Sequence, residues 1–203
     1  MHEEILSPEQ VRLLPLLGEF ADDFGLIGGT AIALQIGHRR SIDFDLVTFS
    51  ELQTDKIRNK IRKNHRIDST LVDETDELTL AVDGLKFTFL RYPFLVPLTR
   101  NLRAKIKMPD LLPLAAMKAF TISRRAKWKD YVDLYFVFKQ YNLKELSSTA
   151  KKLFGEEFNE KLFREQLAFF KDIDYSEKIA FIAGYETDDG TIKDRLTEVS
   201  LQR

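Results

Sequence analysis

Apolar positions along the first ninety residues change period several times, and each change marks an element. Ser7-Pro8-Glu9-Gln10 combines an N-cap serine, a proline at the first helical position and a capping-box glutamine. A helix is expected from there to about Asp22, with Leu13, Leu14, Leu17 and Phe20 on its inner face. Phe24 to Ile27 reads as a short buried strand, Gly28 and Gly29 break it, and Thr30 to Ile36 reads as a helix ended by Gly37. Residues 42 to 48 then alternate with a strand's period, which turns Ile42, Phe44 and Leu46 inward. Ser50 and Gln53 form a second capping-box pattern, predicting a basic helix to about Asn64 with Leu52, Ile57 and Ile61 inside. After a possible strand at 66 to 72, Leu78–Val82 and Leu85–Leu90 flank Asp83-Gly84, a tight-hairpin signal.

The pattern changes beyond about Leu98. A short strand at 103 to 107 is followed by helical periodicity over 109 to 125, 129 to 141, 143 to 153 and 158 to 171. Residues 178 to 185 fit strand or helix, and Asp188-Asp189-Gly190 reads as a turn. The expected fold is α+β: a mixed sheet with packed helices over residues 1–98, then a mainly helical lobe over 99–203. A cleft between two such lobes is a common place for a ligand.

Composition narrows the chemistry. The 203 residues are 44% hydrophobic and 31% charged, the balance of a globular chain. The absence of cysteine excludes disulfides, thiolate catalysis and cysteine zinc sites, and three scattered histidines argue against a histidine metal site. The opening MHEEILSPEQ lacks the basic and apolar regions of a secretory signal, and no apolar run approaches the ~18 residues of a membrane span. A cytoplasmic location away from membranes is the expectation. The net charge of −1 conceals asymmetry: residues 56 to 66 carry six Lys/Arg and no acid, and residues 100 to 129 carry nine against one. From 155 to 200, twelve acids face six bases. Such basic stretches suit a polyanion, or are solvated helix faces.

Asp43 and Asp45 are the unusual residues. Two residues apart on a strand, they share a face, with Cα atoms roughly 6.5–7 Å apart and within reach of one hard cation. Unrelieved, the charge of one raises the pKa of the other. The Gly28-Gly29 turn ahead of them exposes amide groups at the positive end of a helix, where a phosphate can approach without meeting a Cβ. Strand, phosphate cradle, helix and returning acidic strand together suit phosphoryl or nucleotidyl transfer.

The run GGTAIALQIGHRRSIDFDL resembles the signature of DNA-polymerase-β-like nucleotidyltransferases, Gly-Gly-Ser/Thr followed by Asp-x-Asp on the next strand. More narrowly, with Arg39-Arg40-Ser41-Ile42-Asp43-Phe44-Asp45, it is similar to the nucleotidyltransferase AbiEii toxin family. AAMKAFTISRRAKWKDYVDLYFVF resembles that family's lysine helix and following Lys/Arg-Asp-x-x-Asp helix, and the likeness spans roughly residues 24 to 140.

The resemblance implies a polymerase-β-like fold and a Mg²⁺-dependent transfer of a nucleotide from an NTP to an acceptor, with pyrophosphate released. It implies that Asp43 and Asp45 hold the metal and act in catalysis, and that Gly28, Gly29 and Thr30, with Arg40 and Ser41, hold the nucleotide. Lys118 and Asp130 follow as active-site groups. Lys129 and Asp133 follow as nucleotide-side residues, and their i,i+4 spacing would also let them pair with each other. The third carboxylate of many such enzymes is missing from the strand Leu85–Leu90, so either Asp130 of the second lobe supplies it, or the site activates its acceptor hydroxyl without a carboxylate base, or only nucleotide binding remains. The expected partners are an RNA acceptor, tRNA-like in some relatives, and a cognate antitoxin. The alternatives are a non-catalytic nucleotide- or partner-binding protein on the same fold, or an enzyme with a small-molecule acceptor. His38 is expected in a loop, and Trp128, Tyr131, Leu134, Tyr135 and Phe138 in the core.

Overall fold

A computed structural model describes residues 1–103 and 105–202. Helix α1 (Pro8–Glu19) begins at the expected capping box, with Ser7 Oγ accepting from the Gln10 amide and the Gln10 side chain from the Ser7 amide. Strand β1 (Gly25–Ile27) leads into helix α2 (Gly28–Ile36), and Gly37 closes that helix in the left-handed region at φ 82°. Strand β2 (Phe44–Thr48) and helix α3 (Thr54–Arg62) follow. The second capping box does not form: α3 starts four residues beyond Ser50, and its N-cap, Gln53, makes no side-chain cap bond. Strands β3 (Ile67–Asp73), β4 (Glu77–Val82) and β5 (Leu85–Arg91) complete a meander, with Asp83 and Gly84 both at positive φ in the last turn.

The single strand expected at 103–107 is instead a pair, β6 (Arg100–Leu102) and β7 (Ile106–Met108); Ala104, within that expectation, lies outside the described residues. Strand β7 pairs in parallel with β1 through Gly25 and Lys107, so the sheet takes two strands from beyond residue 98. The seven strands lie in the order β3-β4-β5-β2-β1-β7-β6, antiparallel except where β2 meets β5 and β1 meets β7. The fold is α+β with a mixed sheet, as the pattern implied.

Strand register gives the sheet two unlike faces. Phe44 pairs with Phe87, Leu46 with Phe89, and Leu78 and Leu80 with Phe89 and Phe87, so one face is a continuous apolar layer. The Phe20 and Phe24 rings at the end of α1 lie 4.9 and 5.4 Å from Phe89. Helix α3 packs on that same face: Lys60 lies over the Phe20 ring, with Ile57 and Ile61 buried. The other face carries Asp45 opposite Thr88, and Thr88 opposite Thr79.

Helices α4 (Leu111–Ile122), α5 (Trp128–Val137), α6 (Leu143–Phe154), α7 (Glu160–Leu167) and α8 (Asp189–Ser200) form the remainder. Tyr92 and Phe94 bind them to the meander, since Phe94 lies 5.5 Å from Phe120 and 5.0 Å from Phe154. The expected core residues Trp128, Tyr131, Leu134, Tyr135 and Phe138 are buried. Two expectations for the tail fail. Residues 178–185 are neither strand nor helix but an irregular strap, joined to the loop after α2 by the Arg39–Phe181 bridge. Asp188 does not sit in an isolated turn; its Oδ1 accepts from the Thr191 amide and caps α8. Among the described residues, no helix is long and apolar enough to cross a membrane.

Candidate active site

The acidic pair stands on the polar face of the sheet. Asp45 lies between Ile27 of β1 and Thr88 of β5. Asp43 immediately precedes β2 and accepts from Lys86 Nζ at 2.7 Å. Because Lys86 and Thr88 alternate along β5, their contacts place both aspartates on one face. Ile42 does not turn inward as the alternation predicted: it precedes the strand and is 60% exposed, while Phe44 and Leu46 are fully buried.

The glycine bend abuts this pair. Gly28 holds φ +73°, and a Cβ there would collide with the Asp45 carboxylate. A Cβ at Gly29 would lie 2.6 Å from Arg39 Nη2 and 3.2 Å from Ser41 Oγ. Helix α2 starts at Gly28 with no side-chain cap on its first amides. Its positive end and the carboxylate therefore meet with only backbone between them. Thr30 is buried, and its hydroxyl faces inward, donating to the Asp43 carbonyl and hydrogen-bonded to the Ser41 hydroxyl at 3.0 Å. It ties the loop bearing Ser41 and Asp43 to the helix. The guanidinium that reaches the bend is that of Arg39, whereas Arg40 is exposed and its amide bonds the Ala180 carbonyl.

Burial raises the pKa of the Asp45 carboxyl, and the Asp43 charge raises it further, against the pull of Lys86, Lys118 and Lys129. That opposition brings two helical residues, Lys118 of α4 and Lys129 of α5, into the same electrostatic neighbourhood as the acidic pair.

Behind the bend lies a buried charge network centred on Asp133. Its carboxylate accepts from Arg39 Nε (2.7 Å) and Nη2 (2.9 Å), from His38 Nε2 (2.8 Å), and pairs with Lys118 Nζ at 2.8 Å. Burial works to raise its pKa, but Arg39, Lys118 and the His38 bond hold it well below the usual carboxylate range. Lys118 also donates to Asp130 at 2.8 Å; burial would lower the lysine's pKa, but the two carboxylates raise it. Burial lowers the His38 pKa, and its Nε2 faces the acceptor-only Asp133 carboxylate, which makes that nitrogen the donor. His38 thus lies in a loop as expected, but as a fully buried part of this network.

Lys129 does not pair with Asp133. It turns outward with Lys127, and both bond Glu177 of the strap, at 2.5 and 2.7 Å. Burial would raise the Glu177 pKa; the two ammonium groups instead hold it at about 2. Asp130 does not form a triad with Asp43 and Asp45: no group of three or more His, Cys, Asp or Glu placed to share a metal ion occurs among the described residues. The pair itself offers two carboxylates that repel each other beside the glycine bend, a donor set suited to one hard divalent ion. The sequence pattern did not reveal Lys86, Arg39 or Glu177. Two of them carried a signal, Arg39 as the first residue of the Arg39-Arg40-Ser41 motif and Lys86 as a charge within the strand Leu85–Leu90.

A family model described as "Nucleotidyl transferase AbiEii toxin, Type IV TA system" matches residues 13–108. A protein of Aquifex aeolicus (strain VF5), aq_aa25, described as uncharacterized, is 36% identical over 157 residues, covering 74% of this chain and 75% of the relative. The chain belongs to the AbiEii family. Its fold is shared by MenT4, a nucleotidyltransferase toxin from Mycobacterium tuberculosis H37Rv, with a TM-score of 0.66 at 15% identity over 95% of this chain and 80% of that one. JHP933 from Helicobacter pylori aligns with a TM-score of 0.54 at 16% identity, over 96% and 91%. A putative nucleotidyltransferase from H. pylori gives 0.53 at 15%, over 95% and 91%. The AbiEii match contains the bend, the acidic pair and Lys86 but ends at Met108. Lys118, Asp130 and Asp133 are joined to that site through the Arg39 and His38 contacts.

Proposed function

We propose that this AbiEii-family chain is a Mg²⁺-dependent nucleotidyltransferase that moves a nucleotide from an NTP to an RNA acceptor, acting in the cytoplasm as a toxin restrained by a cognate antitoxin. The observation that supports this reading is the close approach of the Asp45 carboxylate to Gly28, which sets a buried acid beside the first amides of an uncapped helix.

Asp43 and Asp45 would hold the ion, which when bound neutralises the pair and polarises phosphate oxygens. The chain's own groups do the rest. Gly28 and Gly29 let phosphate oxygens approach the first amides of α2. Lys118 and Lys129 supply positive charge near Asp45, where charge develops on the transferred phosphoryl group. Lys86 fixes the Asp43 carboxylate and partly offsets the repulsion between the two acids. Among the described residues no third carboxylate joins the cluster, so the acceptor hydroxyl would be positioned by the site and pass its proton to solvent water as its oxygen bonds the α-phosphorus and pyrophosphate leaves.

An RNA acceptor fits the basic stretch at 100–129, whose Arg125, Lys127 and Lys129 flank the Asp130 and Glu177 side of the site. The other basic stretch, 56–66, lies on α3, across the sheet from the acidic pair, and offers no direct contact to an acceptor there. Incubating the protein with each labelled NTP, total RNA and Mg²⁺ tests the reading. Label should enter RNA with the wild type and not with Asp43→Ala or Asp45→Ala. Equal labelling by all three, with every NTP, removes the enzymatic claim.

A further inference from the structure

Cations around the acidic pair already have acceptors within the chain. Lys86 is held by Asp43, Lys118 by Asp130 and Asp133, and Arg39 by Asp133 in a two-bond fork. Lys127 and Lys129 are held by Glu177. A ligand carrying several phosphate charges therefore competes with these carboxylates for the cations. Asp130 and Asp133 are fully buried on a helix, and Asp43 is tied through its carbonyl to Thr30. Glu177 differs: its side chain is 42% exposed and stands on a segment without regular structure.

The strap is anchored on both sides of that glutamate. Upstream, the Trp128 amide bonds the Asp174 carbonyl and the Asp174 amide bonds the Ala126 carbonyl. Downstream, the Arg40 amide bonds the Ala180 carbonyl and the Ile182 amide bonds the His38 carbonyl. Between the anchors, Tyr175 rests on the Trp128 ring, 5.3 Å away. A short, tethered stretch can release one carboxylate without undoing the fold around it.

We propose that Glu177 is an internal stand-in for phosphate: its carboxylate holds the Lys127–Lys129 pair in the unliganded protein and gives way when a ligand phosphate takes the two ammonium groups. Residues 174–180 thereby form a displaceable guard over a phosphate subsite. The proposal rests on the nucleotidyltransferase reading and adds to it a second contact for phosphate and a control on its use. The phosphate can come from the triphosphate of the NTP or from the backbone of the acceptor RNA, and two probes separate these sources.

The test is calorimetry of the full chain, wild type and Glu177→Gln, against inorganic tripolyphosphate and against a mixed-sequence single-stranded RNA oligonucleotide. Glu177→Gln should bind one probe roughly 5- to 10-fold more tightly than wild type, the scale of one released ion pair. Adding Lys127→Gln and Lys129→Gln should remove that gain. In the wild type, the same probe should change the fluorescence of Trp128, the only tryptophan, and speed hydrogen exchange at 175–179. The exchange readout needs no substitution, so it decides the matter even if a variant folds poorly. Wild-type binding without strap opening, or without a gain in Glu177→Gln, overturns the guard and leaves the nucleotidyltransferase reading standing. Failure of both proteins to bind either probe overturns the phosphate site and the guard with it.

Discussion

Replacing Asp133 by asparagine preserves the side chain's size and removes its charge, which makes it a direct probe of the buried network. In the wild type the carboxylate accepts two bonds from Arg39 and one from His38, and pairs with Lys118, with none of the four side chains more than 8% exposed. The asparagine amide would point a donor toward donors and leave two buried cations to share Asp130. Removing one partner of a buried pair costs about 3–5 kcal/mol, because the remaining charge stays desolvated. For a domain of this size, that corresponds to a fall in Tm of roughly 6–20 °C. Urea unfolding followed by Trp128 fluorescence reads the change as a shift of the midpoint at constant slope. The exposed Lys161–Glu165 pair serves as the comparison, and Glu165→Gln should change little.

The sign of the pH dependence adds a second check. The folded-state pKa of Asp133 is depressed, so its stabilisation is fully present above its unfolded value of about 4 and is lost as pH falls toward the folded value. The gap between wild type and Asp133→Asn should therefore hold from neutrality to about pH 4 and narrow below it. A cost under about 1 kcal/mol at pH 7 would refute the claim that this network is a desolvated charge cluster.

Gly28→Ala combines a left-handed backbone, about 1–2 kcal/mol, with displacement of Asp45, so transfer activity should fall at least about tenfold. Gly84→Ala, at φ +83° with open space around its Cβ, should bear the backbone cost and keep its activity; equal activity losses would refute the contact argument. Lys86→Met removes a charge that lowers the Asp45 pKa, so the acid limb of the pH–rate profile should move to higher pH; an unmoved limb separates Lys86 from the site. The raised Asp45 pKa means that metal-free stability declines as pH rises from about 4 through the folded value. Mg²⁺ should therefore raise Tm more at higher pH, measured by thermal melts, and Asp45→Asn should abolish that trend.

Local signals in the sequence were followed where nothing in the tertiary structure competed with them. The Ser7–Gln10 box, the Asp83-Gly84 turn and the bend into α2 all formed where the residues implied. Ser50–Gln53 carried an equivalent pattern and did not start a helix, because the spacing does not fix the backbone at Ser50. The acidic pair was legible because alternation fixes a face without knowledge of the partner strand. Lys86 needed the parallel β2–β5 pairing, a long-range register that no local pattern encodes. The i,i+4 spacing of Lys129 and Asp133 pointed to a helix-surface pair, but α5 buries Asp133 toward α2 and turns Lys129 toward the strap. Residues 172–188 lack periodicity because backbone bonds to the α2 loop and the start of α5 hold them, and those depend on folds already made elsewhere.

Asp133 also explains why a site built on residues 28–45 requires the helices beyond residue 110. Arg39 Nη2 faces Gly29 and, together with Nε, bonds Asp133, so the same guanidinium braces the glycine bend and bonds α5. His38 adds a second bond from the α2 loop to that carboxylate, and Lys118 ties it to α4. Apolar packing could join these elements at equal or lower free-energy cost, since buried ion pairs add little net stability over well-packed hydrophobic residues. What charges add is direction: a planar fork on a buried carboxylate fixes the orientation of Arg39 in a way that an aliphatic contact would not. The orientation of the bend then depends on α4 and α5 being docked, which ties the acidic face of the sheet to helices beyond residue 110.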